Sequence, residues 1–373
     1  MNPPTSCMWP NMWGNGVAFR GLKSARSPSP MRRISLECAP MDVELSIVIV
    51  SWNVAPLLRE CLLSLLALPS VTQTADGSPR LREGSIQVVV VDNASTDGTV
   101  EMLRREFPWV EVLANPQHLG FTAGNNLGLA HSRGRFLLLL NPDTRFILAD
   151  HVDPLAVMLE YLRNHPRVGV VGPRLIYADG RPQPSRRRFP NLAMALMEST
   201  LLEEWFPRNR WARAYRMEDV PLDGPHEVDW VTGAAMLVRR EAWQEVGTLD
   251  EAFFMYSEEL DWCRRFRQAG WEVVHLPQAV VMHYEGRSSE QVIAARHIHF
   301  ETSKILYFRK YHGRLQAGFL RAFRLLSYIW RVATETAKYI LRHKPSLRQA
   351  RMRAYVQVLR SGLKPQRATE GTQ

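Results

Sequence analysis

Three groups of polar residues stand directly behind apolar runs. Ser51-Trp52-Asn53 follows LSIVIV at 45–50, Asp92-Asn93-Ala94-Ser95 follows IQVVVV at 86–91, and Asn141-Pro142-Asp143 follows RFLLLL at 135–140. Short, near-continuous β-branched and leucine runs read as strands buried on both faces. In an open parallel sheet, ligands bind beyond the carboxyl ends of the strands. Any one cluster alone reads equally as a turn and helix cap. Three at one sheet edge point to a ligand crevice lined by Ser51, Asn53, Asp92, Asn93, Ser95, Asn141 and Asp143. The segment GFTAGNNLG, from Gly120 to Gly128, opens a helix whose amides and small side chains could admit a phosphate or sugar. Glycine and asparagine also suit an ordinary turn. Neither G-x-G-x-x-G nor G-x-x-x-x-G-K-[ST] follows the first strand, which argues against a dinucleotide fold or a P-loop.

These groups need a scaffold, and the periodicity supplies one. Strands are predicted at 45–50, 86–91, 110–114 and 135–140, with helices over 56–68, 99–107 and 123–132 between them. The alternation predicts a mostly parallel sheet flanked by helices, an α/β fold of the Rossmann-like kind, with right-handed crossovers. Residues 70–84 read as a loop. Further on come a helix over 151–165 and a strand at 168–171. A strand with a glycine bend is expected at 230–238, then helices at 241–246 and 256–269 and strands at 272–276 and 279–282. The stretch 173–228 carries no readable period. Residues 291–343 are expected to be mostly helical and the last thirty frayed.

The 373 residues carry a net charge of +10, unevenly placed. Residues 1–40 hold five Lys/Arg against Glu37, and residues 304–373 hold sixteen against Glu335 and Glu370, so the middle is net acidic. A basic tail beside an acidic core argues against a nucleic-acid-binding core and for an anionic surface, membrane or polyanion. Four scattered cysteines exclude a zinc ribbon or disulfide scaffold and fit a reducing compartment. No apolar run is long enough to span a bilayer as a helix. Residues 1–40 read as disordered, and Met41, just before the first strand, is a candidate translation start.

The segments VSWN (50–53), VDNASTDGT (91–99), NPQHLGFTAGNNLG (115–128), LLLNPDT (138–144), WVTGAAMLVRR (230–240) and FFMYSEELDWCRR (253–265) resemble those of family 2 inverting glycosyltransferases. The likeness covers roughly residues 45–290 and is strongest to the bacterial rhamnosyltransferase-like branch. It implies a GT-A domain over 41–300, with 301–373 as a helical, basic extension near the membrane. It implies that Asp92 contacts the nucleotide base and that Ser51 and Asn53 line its pocket. Asn125 and Asn126 fall where the family often has Arg-Asn near donor sugar and phosphates. The family's Asp-x-Asp metal motif is Asn141-Pro142-Asp143 here. One carboxylate fewer weakens a hard divalent cation without abolishing its binding, because diphosphate oxygens and water supply further ligands. Asp143 is then the metal carboxylate, for Mg²⁺ or Mn²⁺. His283 resembles the histidine that completes the shell in some members, though a lone histidine is also an ordinary structural residue.

The resemblance gives the acidic run at Glu258-Glu259-Leu260-Asp261 a role. Inverting transfer needs a carboxylate that takes the acceptor hydroxyl's proton. Glu259 aligns with the family's base, with Asp261 as the next candidate and Glu258 as its neighbour. Otherwise the run is an acidic first turn stabilised by the helix dipole, with Arg264 and Arg265 as surface partners. Arg186-Arg187-Arg188 could cover the donor, bind the diphosphate of a lipid-linked acceptor, or be a solvated loop. Trp230, Thr232 and Gly233 fall where the family shapes its acceptor pocket. Phe319, Phe323, Leu326, Ile329 and Trp330, mixed with Arg321, Arg324, Arg331 and Lys338, have the spacing of an interfacial helix. That face could also pack on the catalytic domain. The expected protein moves a sugar, with dTDP-rhamnose foremost and UDP- or GDP-sugars open, to a glycan or polyprenyl-diphosphate-linked glycan in envelope polysaccharide synthesis. It would work in the cytoplasm on the inner face of the membrane, without nucleic acid. A nucleotidyltransferase and a non-catalytic nucleotide-sugar or glycan-binding protein stay open as alternatives. A glycosidase also pairs carboxylates, but needs no polar clusters at a sheet edge.

Overall fold

The computed structural model describes residues 43–82, 84–284, 293–342 and 344–364, and from Val43 onward these form one compact unit. The expectations for residues 1–40 lie outside the described residues.

The first half runs β1 (Val43–Ser51), α1 (Ala55–Leu66), β2 (Val71–Gln73), β3 (Pro79–Leu81), β4 (Gly84–Asp92), α2 (Thr99–Glu106), β5 (Glu111–Ala114), α3 (Phe121–His131), β6 (Phe136–Leu140), β7 (Thr144–Ile147) and α4 (Pro154–Asn164). Then come β8 (Val168–Ile176), β9 (Pro182–Gln183), β10 (Arg186–Arg187), α5 (Leu192–Met197), α6 (Leu201–Trp205), α7 (Arg210–Tyr215), β11 (His226–Glu227), β12 (Trp230–Val231) and β13 (Ala235–Arg239). The chain ends with α8 (Arg240–Val246), α9 (Glu258–Gln268), β14 (Glu272–His283), α10 (Ile293–Tyr311), α11 (Gly313–Ile340) and α12 (Pro345–Ser361).

The main sheet has the order β11-β14-β8-β13-β6-β1-β4-β3-β2, with β5 beside β4, β7 beside β14 and β9 beside β8. β5, β4, β1 and β6 are parallel, as expected. Beyond them β13 lies antiparallel to both β6 and β8, so the sheet is mixed rather than mostly parallel. Side chains alternate across it. Ile47, Ile49, Val88 and Val90 pack with Leu58 and Leu62 of α1 and Leu155 and Leu159 of α4. Val48, Leu137 and Leu139 face the other way, toward Trp262 and Phe266 of α9 and Tyr307 and Phe308 of α10. Helices on both faces explain why these strands are apolar throughout.

Several expectations change. The 70–84 loop contains the hairpin β2–β3, and the two strands expected at 272–282 are one strand with a register shift against β8 between Leu276 and Val280. The end of the chain is not frayed over 345–361, because α12 packs on α10 and α11 and buries Ala354 and Val358. Helix α10 crosses the boundary expected at 300 and shares its core with α9.

Candidate active site

The strand ends open into a cleft of about 1530 Å³. Its lining includes Ser51, Asn93, Asn141, Asp143, Arg187, Trp230, Thr232, Gly233, Glu258, Glu259 and His283, which the sequence placed in seven separate segments.

At one corner, register does the positioning. β7 runs antiparallel to β14 with Thr144 opposite His283, which sets Asp143 beside the imidazole. His283 Nε2 lies 3.3 Å from Asp143 Oδ1 and 3.2 Å from Asn141 Nδ2. On the far side of the ring, Nδ1 is 3.1 Å from Gln183 Oε1. A carbonyl oxygen can only accept, so Nδ1 carries a proton, while Nε2 faces both the Asn141 amide nitrogen and Asp143. Asn141 Oδ1 is buried without a hydrogen-bond partner among the described residues. A carboxylate, an imidazole and an amide with an unsatisfied oxygen are thus neighbours, and all are ligand types for a divalent cation.

At the other corner, the chain enters α9 through two consecutive left-handed residues, Tyr256 (φ 68°) and Ser257 (φ 65°). Neither is glycine, so the turn is strained, as functional turns often are. It aims the first helical side chains, Glu258 and Glu259, into the cleft. Burial pushes both carboxyls above the ordinary range, and Glu258 is raised further by Glu259. Amides of the α9 start and of Gly233, and the Arg187 charge, oppose the rise at Glu259. Among the described residues, Glu258 Oε2 and Glu259 Oε2 have no hydrogen-bond partner. Asp261 is placed elsewhere. It is fully buried and accepts from Arg265 (2.9 Å), Tyr311 (2.8 Å) and Lys310 (2.6 Å), and it does not line the cleft. Arg265 is accordingly its partner one turn on, rather than a loose surface cation.

The nucleotide-side expectations divide. Among the described residues, Ser51 is buried at the cleft with an unpartnered hydroxyl; Asp92, buried behind the lining, keeps one carboxylate oxygen unpartnered while the other accepts from Ser95 N at 2.9 Å. Asn53 and Ser95 instead bind the loops after β1 and β4 together. Asn53 Oδ1 accepts from Thr96 N (2.8 Å), and Asn53 N donates to Ser95 Oγ (3.0 Å). Asn93 donates to Gly120 O at 3.0 Å from the cleft wall. Asn125 and Asn126 do not line the cleft. Asn125 donates to Phe121 O on its own helix, and Asn126 is spent on Leu249 and Glu251.

The glycine-rich segment also departs from expectation. The first amides of α3, Phe121 N and Thr122 N, point at the Phe254 carbonyl (3.2 and 3.5 Å), so they do not form an anion site. Gly120 has φ 87°, and a Cβ there would lie 2.6 Å from the Phe254 ring. A Cβ on Gly128 would lie 2.3 Å from Val48. Gly128 brings α3 against the sheet, and Gly120 lets the start of α3 meet the segment before α9.

Sequence reasoning missed an aromatic wall. His118 packs edge-on to Trp52 (4.9 Å between centroids) and stacks on Phe254, which stacks in turn on His299 (4.7 Å). All four line the cleft, and burial holds both imidazoles below their usual pKa. The segment NPQHLGF and the FFMY run carried two of these rings in view, but only the fold stacks them.

Residues 46–247 match the family model described as glycosyl transferase family 2. The N-acetylglucosaminyl-diphospho-decaprenol L-rhamnosyltransferase of Mycobacterium tuberculosis is 34% identical over 256 residues, covering 62% of this chain and 81% of the relative. The rhamnosyltransferase WbbL of Escherichia coli K12 is 25% identical over 178 residues, covering 44% of this chain and 61% of the relative. Among solved structures, the mannosyltransferase PcManGT from Pyrobaculum calidifontis, in complex with GDP-Man and Mn2+, is similar with a TM-score of 0.50. That pair is 16% identical, with 88% of this chain and 90% of that one covered.

Proposed function

The chain belongs to glycosyl transferase family 2 and is a glycosyltransferase; on that premise we propose that it transfers a sugar, rhamnose foremost, from a nucleoside-diphosphate donor to a lipid-linked glycan by single displacement. The observation that carries this reading is that Asp143 and Glu259, from distant elements, line one cleft. Curated relatives named as rhamnosyltransferases, one of them on a diphospho-decaprenol acceptor, support the choice of substrates.

Glu259 is the base. Its unpartnered Oε2 is free to accept the acceptor hydroxyl's proton, and a carboxyl raised by burial is closer to the proton affinity that task needs. Burial and mutual repulsion raise the Glu258–Glu259 pair together, so the pair resists carrying two charges. Ser51 and Asp92 bind the nucleotide, and Asn53, Ser95 and Asn126 hold the loops around it. Thr232, Gly233 and Trp230 form the acceptor wall.

Asp143, His283 and Asn141 fit a divalent cation, Mg²⁺ or Mn²⁺, by donor type and by the orphaned Asn141 oxygen. Protein ligands alone do not complete a shell, so donor oxygens and water share it. When bound, such an ion offsets the negative charge of the departing diphosphate.

A lipid-linked acceptor also accounts for α11. The helix buries Leu320 and Tyr328 together with Arg324, Ser327 and Glu335, and leaves a second apolar stripe exposed: Leu315, Phe319, Leu326, Ile329 and Trp330. Trp205 and Phe206, at the end of α6, extend this apolar face, and Trp205 packs edge-on to Trp330 at 5.5 Å. Arg324, expected among the surface cations, is instead paired with Glu301. Exposed Arg309, Arg314, Lys338 and Arg342 flank the stripe. Apolar residues rimmed by cations suit an anionic membrane surface on the cytoplasmic side. Among the described residues, no helix is long and apolar enough to cross a membrane.

The test is mass spectrometry of products from dTDP-, UDP- and GDP-sugars with a diphosphate-lipid sugar, with EDTA and with Mn²⁺ or Mg²⁺ restored. Donor binding without turnover, unchanged in Asp143→Ala and Glu259→Gln, would instead identify a binding protein.

A further inference from the structure

Three consecutive arginines look equivalent in the sequence, and the fold makes them different. Arg186 is buried and donates to the carbonyls of Pro221 (2.9 Å), Met217 (3.2 Å) and Val220. Arg188 makes a two-pronged pair with Asp219 (2.9 Å each) and donates to Ala214 O (2.7 Å). Both are structural. Arg187 alone lines the cleft. Its guanidinium lies over the rings of Trp230 (5.3 Å) and Tyr215 (5.5 Å), and Nη1 is buried with no hydrogen-bond partner among the described residues. Two other cations on the cleft wall are matched, Arg216 with Glu203 (2.6 Å) and Lys304 with Glu198, while Arg296 and Arg309 line the cleft from α10.

A planar fork that lies over two neighbouring rings, near Glu259 but with one nitrogen unsatisfied among the described residues, is preorganised for an anion. Its address says which. Register pairs Arg187 with Trp230, on the ribbon that continues into Thr232 and Gly233. The amide of Gly233 supports Glu259. The fork therefore belongs with the carboxylate that meets the acceptor, and not with the Asn141–Asp143–His283 corner.

We infer that Arg187 recognises the phosphate or diphosphate that joins the acceptor's sugar to its lipid. The inference rests on the lipid-linked acceptor proposed above. It makes Arg187 the residue by which the enzyme distinguishes a charged acceptor from a neutral glycan end.

The experiment compares two synthetic acceptors carrying the same sugar and alkyl chain, one joined through diphosphate and the other an uncharged glycoside. Binding is read by tryptophan fluorescence and turnover by product formation, in the unaltered protein, Arg187→Met, Arg187→Lys and the exposed control Arg181→Gln. One or two charge-assisted hydrogen bonds correspond to a preference of about tenfold to a hundredfold for the diphosphate acceptor. That preference should collapse in Arg187→Met, return in part in Arg187→Lys and persist in Arg181→Gln. Binding is measured without turnover, so an inactive variant still gives an answer.

Preference for the diphosphate that survives Arg187→Met overturns the inference. So does a variant in which only product nucleoside diphosphate binds less well, which would put Arg187 on the leaving group. So does an equal loss of kcat on both acceptors with unchanged binding, which would make Arg187 a positioning group for Glu259. Failure of the unaltered protein to glycosylate either acceptor, while it still transfers to another glycan, defeats the proposed acceptor itself.

Discussion

Replacing one oxygen tests the proposed base most directly. Glu259→Gln keeps shape and removes the proton acceptor, so kcat should fall by about 10² to 10⁴ with little change in donor KM. Steady-state kinetics checks this. The pH profile carries a sign. Glu259 must be ionised to act, and burial raises its pKa while the Arg187 charge lowers it. Activity should therefore fall as the medium is acidified through the folded value. Arg187→Met, which removes the lowering charge, should move that acid limb to higher pH. At the other corner, Gln183→Leu removes the oxygen that fixes the His283 tautomer. Mn²⁺ affinity, measured by electron paramagnetic resonance, should weaken by about tenfold to a hundredfold. Asp143 and Glu259 were singled out through the family resemblance, on the Asp-x-Asp position and the aligned base, and the fold puts both on one cleft; without the resemblance the acidic run reads only as a helix start. Asn125 is committed within α3 itself, to the Phe121 carbonyl four residues back, whereas the commitment of Asn126 was not legible, because Leu249 and the Glu251 carboxylate reach it only with the tertiary fold.

At the scale of elements, the cleft depends on two tight passages. Gly120→Ala adds a methyl 2.6 Å from Phe254 at a φ of 87°. The collision would push apart α3 and the segment leading into α9, so Tm should drop and activity should drop more than the population unfolded accounts for. Thermal melts and kcat measured on the same preparation separate the two effects. Ser257→Gly relieves a left-handed residue, so Tm should hold or rise slightly, while kcat falls as the aim of Glu258 and Glu259 loosens. The long strands β1, β4 and β6 were readable because both faces are buried and the runs are continuous. The stretch from 173 to 228 was not. Its elements are two to six residues long, too short for a period to register, and β10 exists only by pairing with β12 more than forty residues away. Direction was hidden too: nothing in AMLVR says that β13 runs against its neighbours.

Across the whole molecule, charge and greasiness are segregated on the C-terminal helices. Binding to vesicles rich in anionic lipid should exceed binding to neutral ones and weaken with salt, with each surface cation adding about 1 kcal/mol. Phe319→Glu with Trp330→Glu should abolish sedimentation with vesicles yet leave turnover of a water-soluble acceptor. Self-association unaffected by lipid would point instead to a second copy on this face. Composition revealed the basic tail, but not that its helix faces the interior with Arg324 and Glu335. The sequence also gave no warning about the final helix. Arg321 Nε donates to the Gly362 carbonyl at 2.7 Å, and Leu363 and Val358 are fully enclosed. The chain's last described turn is thus stitched to the middle of α11, like a buckle closing a strap. Shortening the protein at residue 344 would unclasp it, bare the Tyr328 and His297 rings that meet Tyr355, and trade a trimmed terminus for an insoluble one.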